Sequence, residues 1–342
     1  MKKIDTKQAV GHVLCHDITQ IIKGVKKDAI FRKGHIVTQE DIPVLLSLGK
    51  DHLFVWEKQE GMLHENEAAD ILCGICINEN MRPSPVKEGK IDIFADTDGL
   101  FSADVEKLFA INSLGEMMIA TRHTNFPVKK GDKLAGTRVI PLVIEKEKMD
   151  RAVRTAGDKP LLSILPFRHK EAAVIITGNE VYYGRIQDAF GPVIRQKLDE
   201  YGADVIYETV LDDDMQKISD AIGEAVSRGA EMVICTGGMS VDPDDTTPSA
   251  IKNTGAEIVT YGVPVLPGAM FLLAYYRKEG KPVAIMGLPG CVMYSKRSIF
   301  DLVLPRVMAD QVLTMNDLAK LGHGGLCLQC DTCVYPNCGF GK

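Results

Sequence analysis

From Ala172 onward the chain alternates short apolar runs with amphipathic ones, and no other feature of its 342 residues restricts the fold as much. Ala172-Ala173-Val174-Ile175-Ile176 reads as a strand, followed by a glycine-containing loop and a helix from about Asp188 to Tyr201. Asp204 to Val210 reads as the next strand, Asp212-Asp213-Asp214 leads into a helix from Met215 to Ser227, and the strand Met232-Val233-Ile234-Cys235 runs into Thr236-Gly237-Gly238. Strands and helices at this spacing build parallel βαβ units, whose crossover helices cover both faces of a sheet. Ligands of such sheets bind at the carboxyl ends of the strands. The loops starting at Thr177, Asp212, Thr236 and Gly287 are therefore expected on one rim.

The first half has a different texture. Ala9 to Leu14, Gly24 and Phe31 to Val37 form short alternating runs broken by glycine, which suit small β elements. Thr38 to Asp41 should cap a helix over Ile42–Leu48 that stops at Gly49, with a strand at Leu53–Trp56. Helical periodicity runs from His64 toward Ile77 and ends before Pro83 and Pro85. A strand at Ile91–Ala95, a helix around Val105–Ile111, a strand at Met117–Thr121, a turn over Val128–Thr137 and a strand at Val139–Ile144 follow. At about 150 residues per domain the chain has room for two or three. The expected division is an N-terminal accessory region at 1–165, divisible into two small subdomains, a binding domain at 166–312 and a cysteine-rich tail at 313–342.

Charge narrows the partners. Forty Lys and Arg against forty-six Asp and Glu give a net charge of −6, which supplies no global drive toward nucleic acid or an anionic membrane. The longest apolar stretch, Ala172–Thr177, is far short of a membrane span, and no signal-peptide core follows Lys2-Lys3-Ile4-Asp5. A cytoplasmic protein is expected, with its nine cysteines kept reduced. None of the eight histidines shows metal-ligand spacing.

Three glycine loops follow apolar strands: Thr177-Gly178-Asn179-Glu180, Thr236-Gly237-Gly238-Met239-Ser240 and Gly287-Leu288-Pro289-Gly290. Taken singly each is compatible with a plain tight turn. Together on one rim they can bring backbone amides up to an anionic ligand such as a phosphate. These loops, with Gly184-Arg185-Ile186-Gln187-Asp188 and Val241-Asp242-Pro243-Asp244-Asp245-Thr246-Thr247, resemble the ordered motifs of the molybdopterin-binding domain over roughly Ala172 to Met308. That domain is shared by molybdopterin molybdenumtransferase, molybdopterin adenylyltransferase and the competence-damage proteins. Ala9 to Leu14 is more weakly similar to the start of the molybdenumtransferase arm.

The resemblance implies a three-layer α/β/α domain with a mostly parallel sheet that binds molybdopterin, or its nucleotide, by the terminal phosphate. Carried over by position, Gly237, Gly238 and Ser240 match the phosphate loop, Thr247 the following hydroxyl, and Asp245, Glu180 and Asp188 the acidic, catalytic positions. Thr177, Gly178, Thr236, Pro289, Gly290 and Cys291 complete the cofactor-binding set. Clustered carboxylates beside a phosphate make sense if Mg²⁺ bridges them. Cys291 is either a small apolar turn residue or a thiol for a soft metal or persulfide.

Three departures from the family pattern bear on activity. Val263–Met270 lacks the lysine of the family's Pro-Gly loop, Gly290-Cys291-Val292 replaces Gly-Asn-Pro, and Asn179 stands where aspartate is usual. Without a cation to hold molybdate, the sequence leaves open molybdenum insertion, a cofactor carrier or redox sensor, and a competence-damage-like nucleotide-processing enzyme. The resemblance also implies self-association, and a client molybdoenzyme as partner.

Cys327-x2-Cys330-x2-Cys333-x4-Cys338 packs four thiols into twelve residues. The two successive x2 intervals resemble the run that ligates a cubane iron–sulfur cluster, and a four-thiolate Zn²⁺ site is the alternative. Gly322, Gly324 and Gly325 are expected to hinge this tail. Cys73 and Cys76 share one face of their helix and are expected to pack in the core, with Cys15 and Cys235 structural as well.

Overall fold

The computed structural model describes residues 2–22, 26–55, 60–240, 242, 245–277 and 280–342, with the side chains of 20–22 and 26–28 left aside. Gly24, Trp56, Val241, Pro243 and Asp244 therefore lie outside the described residues. The chain divides into two compact units, one of residues 1–96, 103–122 and 131–163 and one of residues 97–102, 123–130 and 164–342.

In the first unit, Lys2–Asp5 pairs antiparallel with His52–Val55, and Ile18–Ile22 with Lys26–Phe31. Their inward residues Ile4, Ile18, Phe31, Leu53 and Val55 close on Leu45 of the helix Asp41–Ser47. A four-stranded antiparallel sheet follows, in the order Met81–Pro83, Lys90–Ala95, Lys133–Val139, Met117–Thr121. The helix Glu65–Gly74 starts at His64, whose Nδ1 accepts the Asn66 amide at 3.1 Å while Glu67 accepts the His64 amide at 2.9 Å, a reciprocal cap. The strand Lys133–Val139 takes residues expected as a turn. Gly136 sits inside it because a Cβ there would come within 3.1 Å of the Asp92 carboxylate. Cys15, Cys73 and Cys76 are buried, and desolvation pushes the Cys76 thiol up to about 12.

The second unit contains a six-stranded sheet, β1 (Glu171–Thr177), β2 (Asp204–Leu211), β3 (Met232–Thr236), β4 (Glu257–Tyr261), β5 (Leu272–Tyr276) and β6 (Val283–Leu288), in the order β2-β1-β3-β6-β5-β4. The first four strands run parallel, and β5 pairs antiparallel with both β6 and β4, so that β5 alone runs the other way. Alternate β1 residues serve two cores, as period-two side chains must. Ala172, Val174 and Ile176 meet Ile194 and Leu198 of α1 (Phe190–Asp199) and Phe300 and Val303 of α4 (Ile299–Met308). Ala173 and Ile175 meet Ile218 and Ile222 of α2 (Met215–Ser227) and Ile251 of α3 (Thr247–Asn253). The result is the expected α/β/α layering, with each fully buried aliphatic contributing about 1.5–3 kcal/mol.

The antiparallel return has a consequence for the rim. Leu272 pairs with Gly287, so the loop 262–271 that feeds β5 arrives beside the carboxyl end of β6. A purely parallel sheet would have placed the start of β5 at the opposite end.

At that opposite end Lys170, buried, donates to Asp310 at 2.6 Å, and Lys281 binds the other Asp310 oxygen. Burial alone would raise the Asp310 carboxyl, but the two lysines outweigh it and hold it below its ordinary 3.8. Above 3.8 the stabilisation is fully present. As pH falls through 3.8 the unfolded chain protonates first, and stability drains until the native carboxyl protonates at its lower value. Asp310→Asn should cost roughly 1–3 kcal/mol near neutral pH and flatten this acid limb, as read from melting temperature against pH. An unchanged limb would show that the pair carries none of it.

Candidate functional site

The glycines expected to cradle a phosphate follow β3 directly, with φ of +86° at Gly237 and +53° at Gly238. A Cβ on Gly237 would stand 1.9 Å from the Thr177 carbonyl oxygen, so loop and β1 touch backbone to backbone. The threonines lock this contact. Thr177 Oγ1 donates to the Thr236 carbonyl at 3.1 Å and lies 3.2 Å from Thr247 Oγ1, which donates to the Gly237 carbonyl at 2.9 Å. All three threonines are buried, so they shape the loop from behind and present no hydroxyl to a ligand. Beyond the glycines, the amides of Met239 and Ser240 have no hydrogen-bond partner among the described residues. Their carbonyls accept the Tyr261 hydroxyl, each at 3.0 Å, which fixes the turn.

The loop opens into a cleft of about 880 Å³. Seven of the thirteen expected catalytic and cofactor-binding residues line it: Gly237, Gly238, Ser240, Asp245, Pro289, Gly290 and Cys291. Thr177, Gly178, Thr236 and Thr247 stand behind it. The acidic set is not gathered. Asp188 accepts the amides of Phe190 at 2.8 Å and Gly191 at 3.0 Å, so its carboxylate caps α1. Glu180 is exposed and folds over Gly178, where a Cβ would meet its Oε1 at 2.9 Å. Only Asp245 reaches the cleft, with one oxygen accepting the Asp242 amide at 3.0 Å. Burial pushes the Cys291 thiol above its ordinary value.

The far wall was not expected as part of the site. Leu266 to Met270 line it because of the antiparallel return, and Tyr294 and Ser295 follow the Pro289–Cys291 turn. Leu326, Cys327 and Gln329 of the tail close it. Leu266 and Leu326 form a parallel bridge in which the Leu266 amide donates to Gly325 and the Cys327 amide to Leu266, both at 2.8 Å. The expected glycine hinge is therefore corrected. A Cβ on Gly324 would fall 1.8 Å from the Lys342 carbonyl, and one on Gly325 2.5 Å from that of Leu321. These glycines are needed for close packing.

Among the described residues no Lys or Arg lines the cleft, and no three His, Cys, Asp or Glu side chains converge to hold a single metal ion. No helix among them is long and apolar enough to cross a membrane.

An α/β domain with a glycine loop opening into a rim cleft is the class this geometry defines. Residues 173–309 match the family described as the probable molybdopterin binding domain, so the chain carries that domain. Residues 3–57 match a domain of unknown function, DUF8806. A protein of Bacillus thuringiensis (strain Al Hakam) named "Putative competence-damage inducible protein" is 31% identical over 110 residues, covering 32% of this chain and 26% of that protein. A CinA-like protein of Mycobacterium avium is 32% identical over 89 residues, covering 26% and 20%. The similarity thus spans about a quarter of the length of these relatives or less. Among solved structures, the tungsten cofactor synthesizing protein MoaB from Pyrococcus furiosus superposes with a TM-score of 0.32 at 22% identity, over 36% of this chain and 84% of that one. A molybdenum cofactor biosynthesis protein from Pyrococcus furiosus gives 0.26 at 14% identity, over 91% and 64%.

Proposed function

We propose that this chain binds molybdopterin in the rim cleft and holds it during molybdenum-cofactor assembly, with the terminal phosphate at the Gly237–Ser240 loop. The amides of Met239 and Ser240, without a hydrogen-bond partner among the described residues, lie beyond a glycine pair inside the matched domain and carry this reading. The pterin would run past the loops Pro267–Ala269 and Pro289–Cys291.

Asp245 is the single charged side chain among the described cleft residues, and it has the wrong sign for a phosphate. Two like charges about 4 Å apart repel by roughly 4 kcal/mol at an effective dielectric of 20. Asp245 would hold a Mg²⁺ ion, whose charge would offset that repulsion, since one or two carboxylates with a ligand phosphate is the usual setting of this ion. The same shortage of cations favours holding the cofactor over inserting molybdate, which would add a further oxyanion. Self-association and hand-over to a client molybdoenzyme belong to this proposal.

Anaerobically purified protein should release a pterin on denaturation. With Mg²⁺ present, Asp245→Ala should weaken molybdopterin binding about ten- to a hundredfold in a direct titration. Molybdate-dependent turnover would overturn the holding role in favour of insertion. Consumption of ADP-ribose with no pterin bound would favour the nucleotide-processing alternative that the competence-damage relatives suggest.

A further inference from the structure

Cys327, Cys330, Cys333 and Cys338 all line one cavity of about 350 Å³. Its walls are anchored on several sides. The Leu266 bridge fixes the strand entering Cys327, and the Lys296 ammonium donates to the carbonyls of Cys330 at 3.3 Å and Asp331 at 2.5 Å. The Tyr335 hydroxyl donates to the Asp301 carbonyl at 3.0 Å, and the Gly341 amide closes on Gly324 at 2.9 Å.

We infer that this cavity is the seat of a four-iron, four-sulfide cubane cluster ligated by the four tail thiolates. A single Zn²⁺ draws its sulfurs to about 2.3 Å from one point. All four cysteines line one and the same volume, spread around its wall along twelve residues of chain. A cubane needs that arrangement, since each thiolate binds a different corner and the core fills the space between them. Charge agrees. Two ferrous ions, two ferric ions and four sulfides make a 2+ core, and four thiolates bring the site to 2−. Lys296 and Arg297 are the two charged side chains lining the cavity among the described residues, and both are cations. Assembly from those ions forms four iron–thiolate bonds and releases four thiol protons to solvent, with no net oxidation.

Tyr294, Ser295, Leu326, Cys327 and Gln329 line both this cavity and the rim cleft. The cluster therefore shares a wall with whatever the cleft binds, although its own presence does not depend on the identity of that ligand.

The test uses the full chain, reconstituted under argon with equal ferrous and ferric iron and with sulfide, no pterin being added. About four irons and four acid-labile sulfides per chain are expected, with a broad visible absorption that bleaches on reduction. Cys330→Ser and Cys333→Ser, at exposed positions, should each lose most of that iron while keeping the wild-type melting curve. Cys15→Ala, in the other unit, should retain it. One zinc per chain without sulfide, a chain that takes up no metal, or iron uptake unchanged in both tail variants would each overturn the cluster. Because iron is read in the absence of pterin, failure here is distinct from failure of pterin binding.

Discussion

Gly237→Ala is expected to abolish molybdopterin binding and to destabilise the domain by about 2–4 kcal/mol. Two costs add at this position. The backbone sits at φ +86°, where a side chain costs about 1–2 kcal/mol. The new methyl would also stand 1.9 Å from the Thr177 carbonyl, a backbone atom at the end of β1 that cannot swing aside as a side-chain tip can. Relief must come from moving the loop, which breaks the Thr177–Thr236 and Thr247–Gly237 hydrogen bonds and re-aims the Met239 and Ser240 amides. Gly290→Ala is the contrast. It has an ordinary φ and open space around its Cβ, so its stability should stay within about 0.5 kcal/mol of wild type. Chemical denaturation and a pterin titration on both variants decide the matter. A Gly237→Ala protein that melts and binds like wild type would show that the backbone contact is not what forms the cradle.

The parallel half of this sheet was legible because each strand is an isolated apolar run followed by an amphipathic helix. Helix α2 falls on the residues its periodicity marks, Met215–Ser227. The β4–β5 return was not legible. Leu272-Leu273-Ala274-Tyr275-Tyr276 is apolar whichever way it runs, and direction is fixed by its partner in the sheet. With the direction went the position of the 262–271 loop, and with that loop the far wall of the cleft.

The site residues divide on a similar line. Motif position groups Gly237, Gly238, Ser240 and Asp245, and all four line one opening. It could not tell a hydroxyl or carboxylate aimed at a ligand from one already engaged by the backbone. Asp188 illustrates the difference, since an aspartate two residues before a helix start is also a good cap and is used as one. The tail glycines illustrate it again. Gly324 and Gly325 suit both a hinge and a close contact, and only the positions of Lys342 and Leu321 decide between them.

Asp301→Ala is expected to cost about 3–5 kcal/mol, the largest stability loss expected of any substitution considered. The carboxylate is 3% exposed and takes four hydrogen bonds. Its Oδ1 accepts Lys197 Nζ and Arg297 Nη1, each at 2.7 Å, and its Oδ2 accepts the Ser298 amide at 2.7 Å and lies 3.5 Å from the Ser298 hydroxyl. Lys197 belongs to α1 and is itself 8% exposed on its side chain, so removing Asp301 strands an ammonium in the core and uncaps α4 at once. Arg297 keeps Glu200 at 3.0 Å and its place over the Tyr335 ring, which limits the damage on the tail side. Tyr335 bonds the Asp301 backbone carbonyl, a group the substitution leaves in place. The cost should therefore fall on global stability while the tail stays docked. Tyr335→Phe should show the reverse, losing about 1 kcal/mol and loosening the tail first. Adding Lys197→Met to Asp301→Ala removes the stranded charge and should recover part of the loss, a coupling that denaturant titration of the four-protein cycle measures directly. Additive losses would mean that the cost of Asp301→Ala comes from the helix cap alone and that the buried ammonium finds another partner.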